Sequence, residues 1–283
     1  MIVMISKPAA LPPRPVDGHK GTFGRVLIVG GNDQMIGAPA LAGTAALRMG
    51  SGLVQVAIAK SVLATCLSIT PELVGLGLAH TPDLVALLDA ATKADAIVIG
   101  PGMGHAPVAK TRLMRLIQLA KPMVVDADGL NLIAAGKKWP DSFNAHTVLT
   151  PHPGEMGRLA PLFGRTEVPA DDEGRIAIAT EAARAFGQVI VLKGHRTVVT
   201  DGRRVYINHT GDSTLSKAGT GDVLSGMIGC LLGQGIDRFD AATLAVHLHG
   251  LAGEIAGKRL GRRCALARDV IDAIPEAVGE GDE

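Results

Sequence analysis

Five apolar runs in this chain end abruptly in turns crowded with glycine, proline or charge, and that punctuation restricts the fold more than any other feature. GGNDQMIGAPA follows the run at 25–30, GPGMG the run at 96–100, DADGLN the run at 122–126, PHPGE the run at 147–150 and KGHRT the run at 188–192. A further run covers 53–59. Short aliphatic runs bounded by turn residues are buried strands, and the amphipathic stretches between them read as helices. The helical spacing covers 39–49, 106–119, 174–186, 221–232, 240–257 and 267–277. Such alternation requires right-handed crossovers, which give a mostly parallel central sheet with helices on both faces. Residues 197–200 and 203–206, joined by Asp201-Gly202, predict an antiparallel hairpin added to that sheet. Residues 1–18, with four prolines, read as an extended arm, and nothing divides 19–283, so the expectation is a single α/β domain.

Ligands of an open α/β sheet bind beyond the carboxyl ends of its strands, so five loaded turns predict one shared site. Composition narrows what that site can hold. Lys and Arg total 28 against 27 Asp and Glu, which leaves no field to retain nucleic acid or an acidic membrane. No stretch of about 18 apolar residues occurs, and the N-terminus lacks the charge and apolar run of an export signal, so the expectation is a soluble, cytoplasmic protein. Cys66, Cys230 and Cys264 are far apart, as reduced buried thiols would be. With five Phe, one Trp and one Tyr, the core must be aliphatic.

The sharpest motif is KAGTGDVLSG at 217–226, a glycine turn running directly into an apolar helix. Ala218, Gly219, Thr220 and Gly221 form an expected anion hole, in which unpaired main-chain N–H groups and the helix dipole face a phosphate. Asp222 then stands where a carboxylate can accept the proton of an attacking hydroxyl, or else it only caps the helix. No GxxxxGK[ST] is present, which excludes a Walker site.

Other residues carry two readings. Lys193, Gly194, His195, Arg196 and Thr197 are a strand end and basic surface, or part of a nucleotide site. In TPHPGE, Pro153 suits a first helical position and Glu155 its first turn, which explains His152 and Glu155 without any function. Gly102 and Gly104 are tight-turn glycines or a substrate loop, and Ala40 either packs its helix or admits a ligand through lack of bulk. Asp126 is read as a site residue and Asp128 as a helix cap. His247 and His249 lie two apart on a helix, so they share no face and are expected to be satisfied or exposed.

GTGDVLSG, together with HKGTFGRVLIVGG at 19–31, DADGLN at 126–131, LTPHPGE at 149–155 and VLKGHRTVV at 191–199, resembles the ADP- or ATP-dependent NAD(P)H-hydrate dehydratases of the ribokinase-like superfamily. The likeness runs from about His19 past Asp269. It implies Mg²⁺-dependent dehydration of the S epimer of hydrated NADH or NADPH, driven by ADP or ATP. Asp222 would be catalytic, Lys193 to Thr197 with Gly221 would bind adenine nucleotide, and Ala40, Gly102, Gly104, His152 and Asp222 would meet the hydrate. Glu155 would orient a magnesium-bound water. The resemblance also implies a homotetramer acting with a separate epimerase, since the family is often fused to an epimerase domain for which 283 residues leave no room. Where many bacterial members have an NPG-type stretch, this chain reads NHTGDSTLSKAGTGD, keeping Asn208, Thr210 and Gly211, and the donor is read as ADP ahead of ATP. His19 and Lys20 belong to the signature, or simply anchor the arm.

Three rivals use the same residues differently. A small-molecule kinase of the superfamily would share Asp222 and the anion hole but release a phosphorylated product. A Rossmann oxidoreductase fails because GGND is not GxGxxG and no acidic residue follows about twenty positions later. A non-catalytic nucleotide sensor has no use for an intact Asp222.

Overall fold

A computed structural model describes residues 2–79 and 84–281. In chain order its elements begin with β1 (Val3–Ile5), β2 (Arg25–Val29), α1 (Gly37–Arg48), β3 (Leu53–Ala59), α2 (Leu63–Ile69), β4 (Val74–Leu78) and α3 (Val85–Lys93). Next come β5 (Ala96–Ile99), α4 (Pro107–Leu116), β6 (Pro122–Val125), α5 (Asp128–Ala134), β7 (His146–Leu149) and α6 (Pro153–Leu159). The chain then forms α7 (Asp172–Phe186), β8 (Val189–Leu192), β9 (Val198–Thr200), β10 (Arg204–Ile207), α8 (Thr220–Gly233), α9 (Arg238–Leu260) and α10 (Ala267–Gly281).

The strands form one ten-stranded sheet in the order β1-β10-β9-β8-β7-β6-β5-β2-β3-β4. Among the described residues only β9 runs antiparallel to its neighbours, through the expected Asp201-Gly202 hairpin. Period-two alternation along each strand feeds two core layers. Val26 and Ile28 of β2 and Ala96 and Val98 of β5 face the layer containing Ala45, Met227, Leu248 and Ile274, from α1, α8, α9 and α10. Leu27, Val29, Ile97 and Ile99 face the layer of Leu87, Leu113, Ile133, Met156 and Ile178, from α3 to α7. Helices therefore cover both faces, as the alternation required.

The sheet reverses its winding between β2 and β5, because β3 and β4 extend one side and β5 to β8 the other. Turns from both halves diverge at that point, the position at which open α/β sheets bind ligands. At the end of β5, Gly100 has φ +125°, and a Cβ there would stand 1.8 Å from the Asp126 carbonyl oxygen. Only glycine lets the turns after β5 and β6 approach so closely.

The structure adds to the sequence reading at two places and corrects it at a third. The N-terminal arm contributes β1, which zips in parallel onto β10 through Val3 to Ile5, because the outer edge of the hairpin offers unpaired main-chain groups. The strand β4 was not anticipated, since VGLGL carries Gly75 and Gly77, poor strand residues in isolation. Those glycines receive the side chains of Leu63, Leu67 and Lys60. Cys66 and Cys230 are buried free thiols as read, but Cys264 is exposed, in the connection between α9 and α10.

Candidate active site

Asp126 and Asp128 project from the turn after β6 on either side of Ala127, whose φ of +50° and ψ of −118° are strained for a residue with a side chain. Asp126 is 1% exposed. Its Oδ1 accepts from Lys193 Nζ at 2.8 Å and its Oδ2 from Ser225 Oγ at 2.7 Å, so it joins the turn after β8 to α8. Burial alone would raise the Asp126 carboxyl, yet the adjoining ammonium and hydroxyl groups hold it below the ordinary aspartate range. Asp128 is not the cap the sequence implied. The N-cap position is Ala127, and Asp128 is the first helical residue, turned outward to take Gly104 N at 2.9 Å and His105 Nε2 at 3.0 Å. The strained turn rotates its carboxylate off the helix axis.

Lys193 directly follows β8 and stands 3.7 Å from Glu155 Oε2 as well as against Asp126. Burial would depress its ammonium, but Asp126, Glu155 and Asp222 together raise it, so it remains charged. Glu155 is 5% exposed and accepts from His152 N at 2.8 Å. In return, His152 Nδ1 accepts from the N–H groups of Gly154 and Glu155, forming a capping box at α6 with Pro153 in the first turn. The structural reading of PHPGE is thus fully realised, and it leaves the His152 ring half exposed.

The GTGD turn enters α8 through Gly219, the N-cap residue, at φ +93°. Thr220 Oγ1 closes the turn on the carbonyls of Leu215 and Lys217, at 2.7 and 2.8 Å. The N–H groups of Gly221 and Asp222 find no partner among the described residues, whereas the Thr220 N–H, expected in the anion hole, donates to the Lys217 carbonyl at 3.4 Å. A Cβ on Gly221 would lie 3.5 Å from Lys193 Nζ, so the hole and the ammonium share one space. Asp222 lies in the first turn of α8 and is not its cap. Burial first, then the negative charges of Asp126, Asp128 and Glu155, push its carboxyl up to about 7 against the opposing pull of Lys193.

Beside this cluster a cavity of about 340 Å³ is lined by Lys193 to Thr197, Asn208, Thr210, Gly211, Gly221, Leu224, Val246 and His249 among others. KGHRT and the GTGD helix therefore face one another across a single pocket. Asn208 and Thr210 build its wall: Asn208 Nδ2 reaches the Thr210 and Val246 carbonyls, and Thr210 Oγ1 reaches the His247 carbonyl. His249 was expected to be satisfied or exposed. It is buried in that wall, where burial drives its ring down to about 4 against a hydrogen bond to the Thr220 backbone, while Nε2 has no hydrogen-bond partner among the described residues. His247 is half-buried beside Tyr206, so the two histidines take separate surroundings, as their spacing required. Ala40 is fully buried within the core layer under α1, and Gly102 and Gly104 form the turn beside Asp128.

Sequence reading missed Arg175. From α7 this buried guanidinium donates to the carbonyls of His195, at 2.5 Å, and Leu192, at 3.3 Å, and so holds the KGHRT turn in place. Its signal was an arginine on the apolar stripe of an otherwise regular helix. His105 also went unnoticed. HKGTFG lies elsewhere: His19 and Lys20 stand beside Arg25, Leu53 and Asp95 at the amino ends of the strands, opposite the site.

Residues 26–276 match the family model described as NAD(P)H-hydrate dehydratase. The chain belongs to the NAD(P)H-hydrate dehydratase family. It is similar to the bifunctional NAD(P)H-hydrate repair enzyme Nnr of Moorella thermoacetica, with 41% identity over 94% of this chain and 51% of that protein. The repair enzyme of the same description from Escherichia coli is 38% identical over 95% of this chain and 50% of its own length. The chain thus spans about half the length of these curated relatives. Among solved structures, an ADP/ATP-dependent NAD(P)H-hydrate dehydratase from Bacillus subtilis, co-crystallised with ATP and Mg²⁺, superposes with a TM-score of 0.81 at 31% identity, covering 96% of this chain and 95% of its own. A hydroxyethylthiazole kinase from Pyrococcus horikoshii, 18% identical with a TM-score of 0.62, shares the fold. The ribokinase-like architecture expected of an NAD(P)H-hydrate dehydratase is the one observed.

Proposed function

We propose that this chain dehydrates the S form of hydrated NADH or NADPH at the expense of ADP or ATP, returning the reduced dinucleotide. The observation that carries the reading is Asp222: a carboxyl raised to about 7 beside two free N–H groups at the start of α8 and against Lys193. A base with that affinity for protons both accepts one at neutral pH and is regenerated afterwards.

Asp222 removes the proton of the hydrate hydroxyl as its oxygen bonds to the terminal phosphorus of the donor, whose bridging oxygen leaves with the bonding electrons. The N–H groups of Gly221 and Asp222 and the ammonium of Lys193 stabilise charge on the transferring group. Hydroxide is thereby converted to phosphate, a far better leaving group. The ring nitrogen's lone pair expels it, and loss of a proton from the neighbouring ring carbon restores the double bond. Lys193 to Thr197 with Gly221 hold the adenine nucleotide, while Gly102, Gly104 and His152 meet the hydrate and Ala40 leaves room in α1.

Magnesium suits the carboxylate oxygens of Asp126, Asp128, Glu155 and Asp222, which are hard donors. Among the described residues no group of three or more side chains is arranged to hold a metal directly, which fits an ion carried by the nucleotide phosphates and waters. Glu155 would orient one such water; the ion would neutralise phosphate charge. A homotetramer, a cytoplasmic location and cooperation with an NAD(P)H-hydrate epimerase belong to the same proposal. Among the described residues no helix is long and apolar enough to cross a membrane.

The test mixes the protein with hydrated NADH, Mg²⁺ and either ADP or ATP and follows dihydronicotinamide absorbance together with released phosphate. Recovery of both signals supports the reading. A stable phosphorylated product without absorbance would assign the chain to the small-molecule kinases instead.

A further inference from the structure

From the first turn of α7, Arg175 reaches across to the turn after β8. Its Nη1 donates to the His195 carbonyl at 2.5 Å and to the Arg196 carbonyl at 3.4 Å, and its Nη2 donates to the Leu192 carbonyl at 3.3 Å. One planar fork thus collects the acceptors of a short stretch of backbone. Asp172 steadies the fork from the same helix, with Oδ1 3.9 Å from Arg175 Nη1, while its Oδ2 pairs with Arg196.

The turn has little means of keeping this shape alone. Gly194 has φ +147°, and Arg196, which carries a side chain, has φ +56°. The N–H groups of Gly194, His195 and Arg196 have no partner among the described residues, so the turn is anchored through its carbonyls. A Cβ on Gly194 would stand 2.9 Å from Arg175 Nη2, which places the guanidinium directly against the turn. Arg175 is buried, and desolvation lowers its proton affinity in spite of Asp172. An apolar side chain would fill such a position without burying a charge. What the guanidinium adds is one defined geometry for the backbone it grips. Lys193, Gly194, His195, Arg196 and Thr197 all line the cavity of about 340 Å³ that they share with Gly221, and Arg175 stands behind them.

We propose that Arg175 is a positioning residue for the phosphoryl donor: it holds the 193–197 turn in the shape that receives the adenine nucleotide, and so sets donor affinity without touching the nucleotide. This rests on the reading of that cavity as the donor site and extends it to a residue of α7. A turn already in its receiving shape leaves less ordering to be done on binding, so affinity follows the fraction of molecules that hold the shape.

The experiment compares the wild-type protein with Arg175→Met and Arg175→Lys. Calorimetric titration gives Kd for ADP and for ATP, each with Mg²⁺, and turnover of hydrated NADH at saturating donor gives kcat and the hydrate KM. Arg175→Met fills the space but donates nothing, and should raise donor Kd about tenfold, as it would if the turn kept its receiving shape about a tenth of the time. Arg175→Lys keeps the charge and loses the fork, so its Kd should fall between. Both kcat and the hydrate KM should hold, because bound nucleotide restores the turn. Amide hydrogen exchange without nucleotide should quicken at 194–196 in either variant. Should Arg175→Met not fold, Arg175→Lys decides alone. An unchanged donor Kd in a folded variant overturns the proposal, and so do equal losses of donor and hydrate affinity, which mark a general loosening. If the wild-type protein binds nucleotide yet restores no NADH, the dehydratase reading fails while the donor Kd values still decide the role of Arg175.

Discussion

Lys193 Nζ stands 2.8 Å from Asp126 Oδ1 and thereby links the turn after β8 to the turn after β6 across the intervening β7. The pair is nearly sealed, with the two side chains 19% and 2% exposed. Removing one member of such a pair leaves an uncompensated buried charge, which costs about 3–5 kcal/mol. Lys193→Met should therefore lower the unfolding midpoint sharply in denaturant titration. The double variant Lys193→Met with Asp126→Asn should recover most of that loss while remaining inactive, and failure to recover would mean the pair is not the source of the destabilisation.

Asp222 gives a pH dependence with a definite sign. Its folded carboxyl titrates at about 7, above the ordinary value of 3.8. As pH rises between those values the unfolded chain releases a proton that the folded protein retains, so this group makes stability fall, and above about 7 the penalty is constant. The rate should rise over the same upper range as the base ionises. Asp222→Asn should lower turnover by roughly 10²–10⁴-fold yet melt higher than wild type at pH 8. A variant that melts lower there would contradict the buried-charge account.

Ala127 holds φ +50° without being glycine. Substitution by glycine relieves that strain at some entropic expense in the unfolded state, and the net gain should be about 1 kcal/mol or less. A β-branched Ala127→Val should instead cost on the order of 1–3 kcal/mol. Thermal melts of both variants, with nucleotide turnover measured alongside, check the prediction. Equal stability of the two would show that the turn relaxes freely.

His152 caps α6 and is proposed to meet the hydrate, and the two roles separate by substitution. Asparagine is a good N-cap, so His152→Asn should keep stability within a few tenths of a kcal/mol, whereas His152→Ala should lose about 1 kcal/mol. Both should raise KM for the hydrate if the ring meets substrate. A KM unchanged in both would leave His152 as a cap alone.

Much of this was legible in the residues because it is local. Apolar runs of the right length, the glycine entry to α8, Pro153 at the start of α6 and the Asp201-Gly202 hairpin each follow from short-range sterics and hydrogen bonding, and strand ends were placed within one residue. Gly75 and Gly77 hid β4, because what covers them is tertiary: Leu63 and Leu67 of α2 pack over Gly75, and Lys60 over Gly77. The same holds for Asp128, whose sequence position promised a cap and whose carboxylate turned to Gly104 and His105 instead.

The sequence by itself determined the strand–helix alternation, the glycine turns and the presence of a carboxylate at the start of α8. Tertiary structure alone decided that Asp126, 67 positions from Lys193 and 99 from Ser225, would bind both, and that His249 would be sealed in a pocket wall. The physical reason is the range of the forces involved. Backbone sterics and capping act over a few residues, while burial, charge pairing and the proton affinity of Asp222 depend on which distant turns the sheet order brings together.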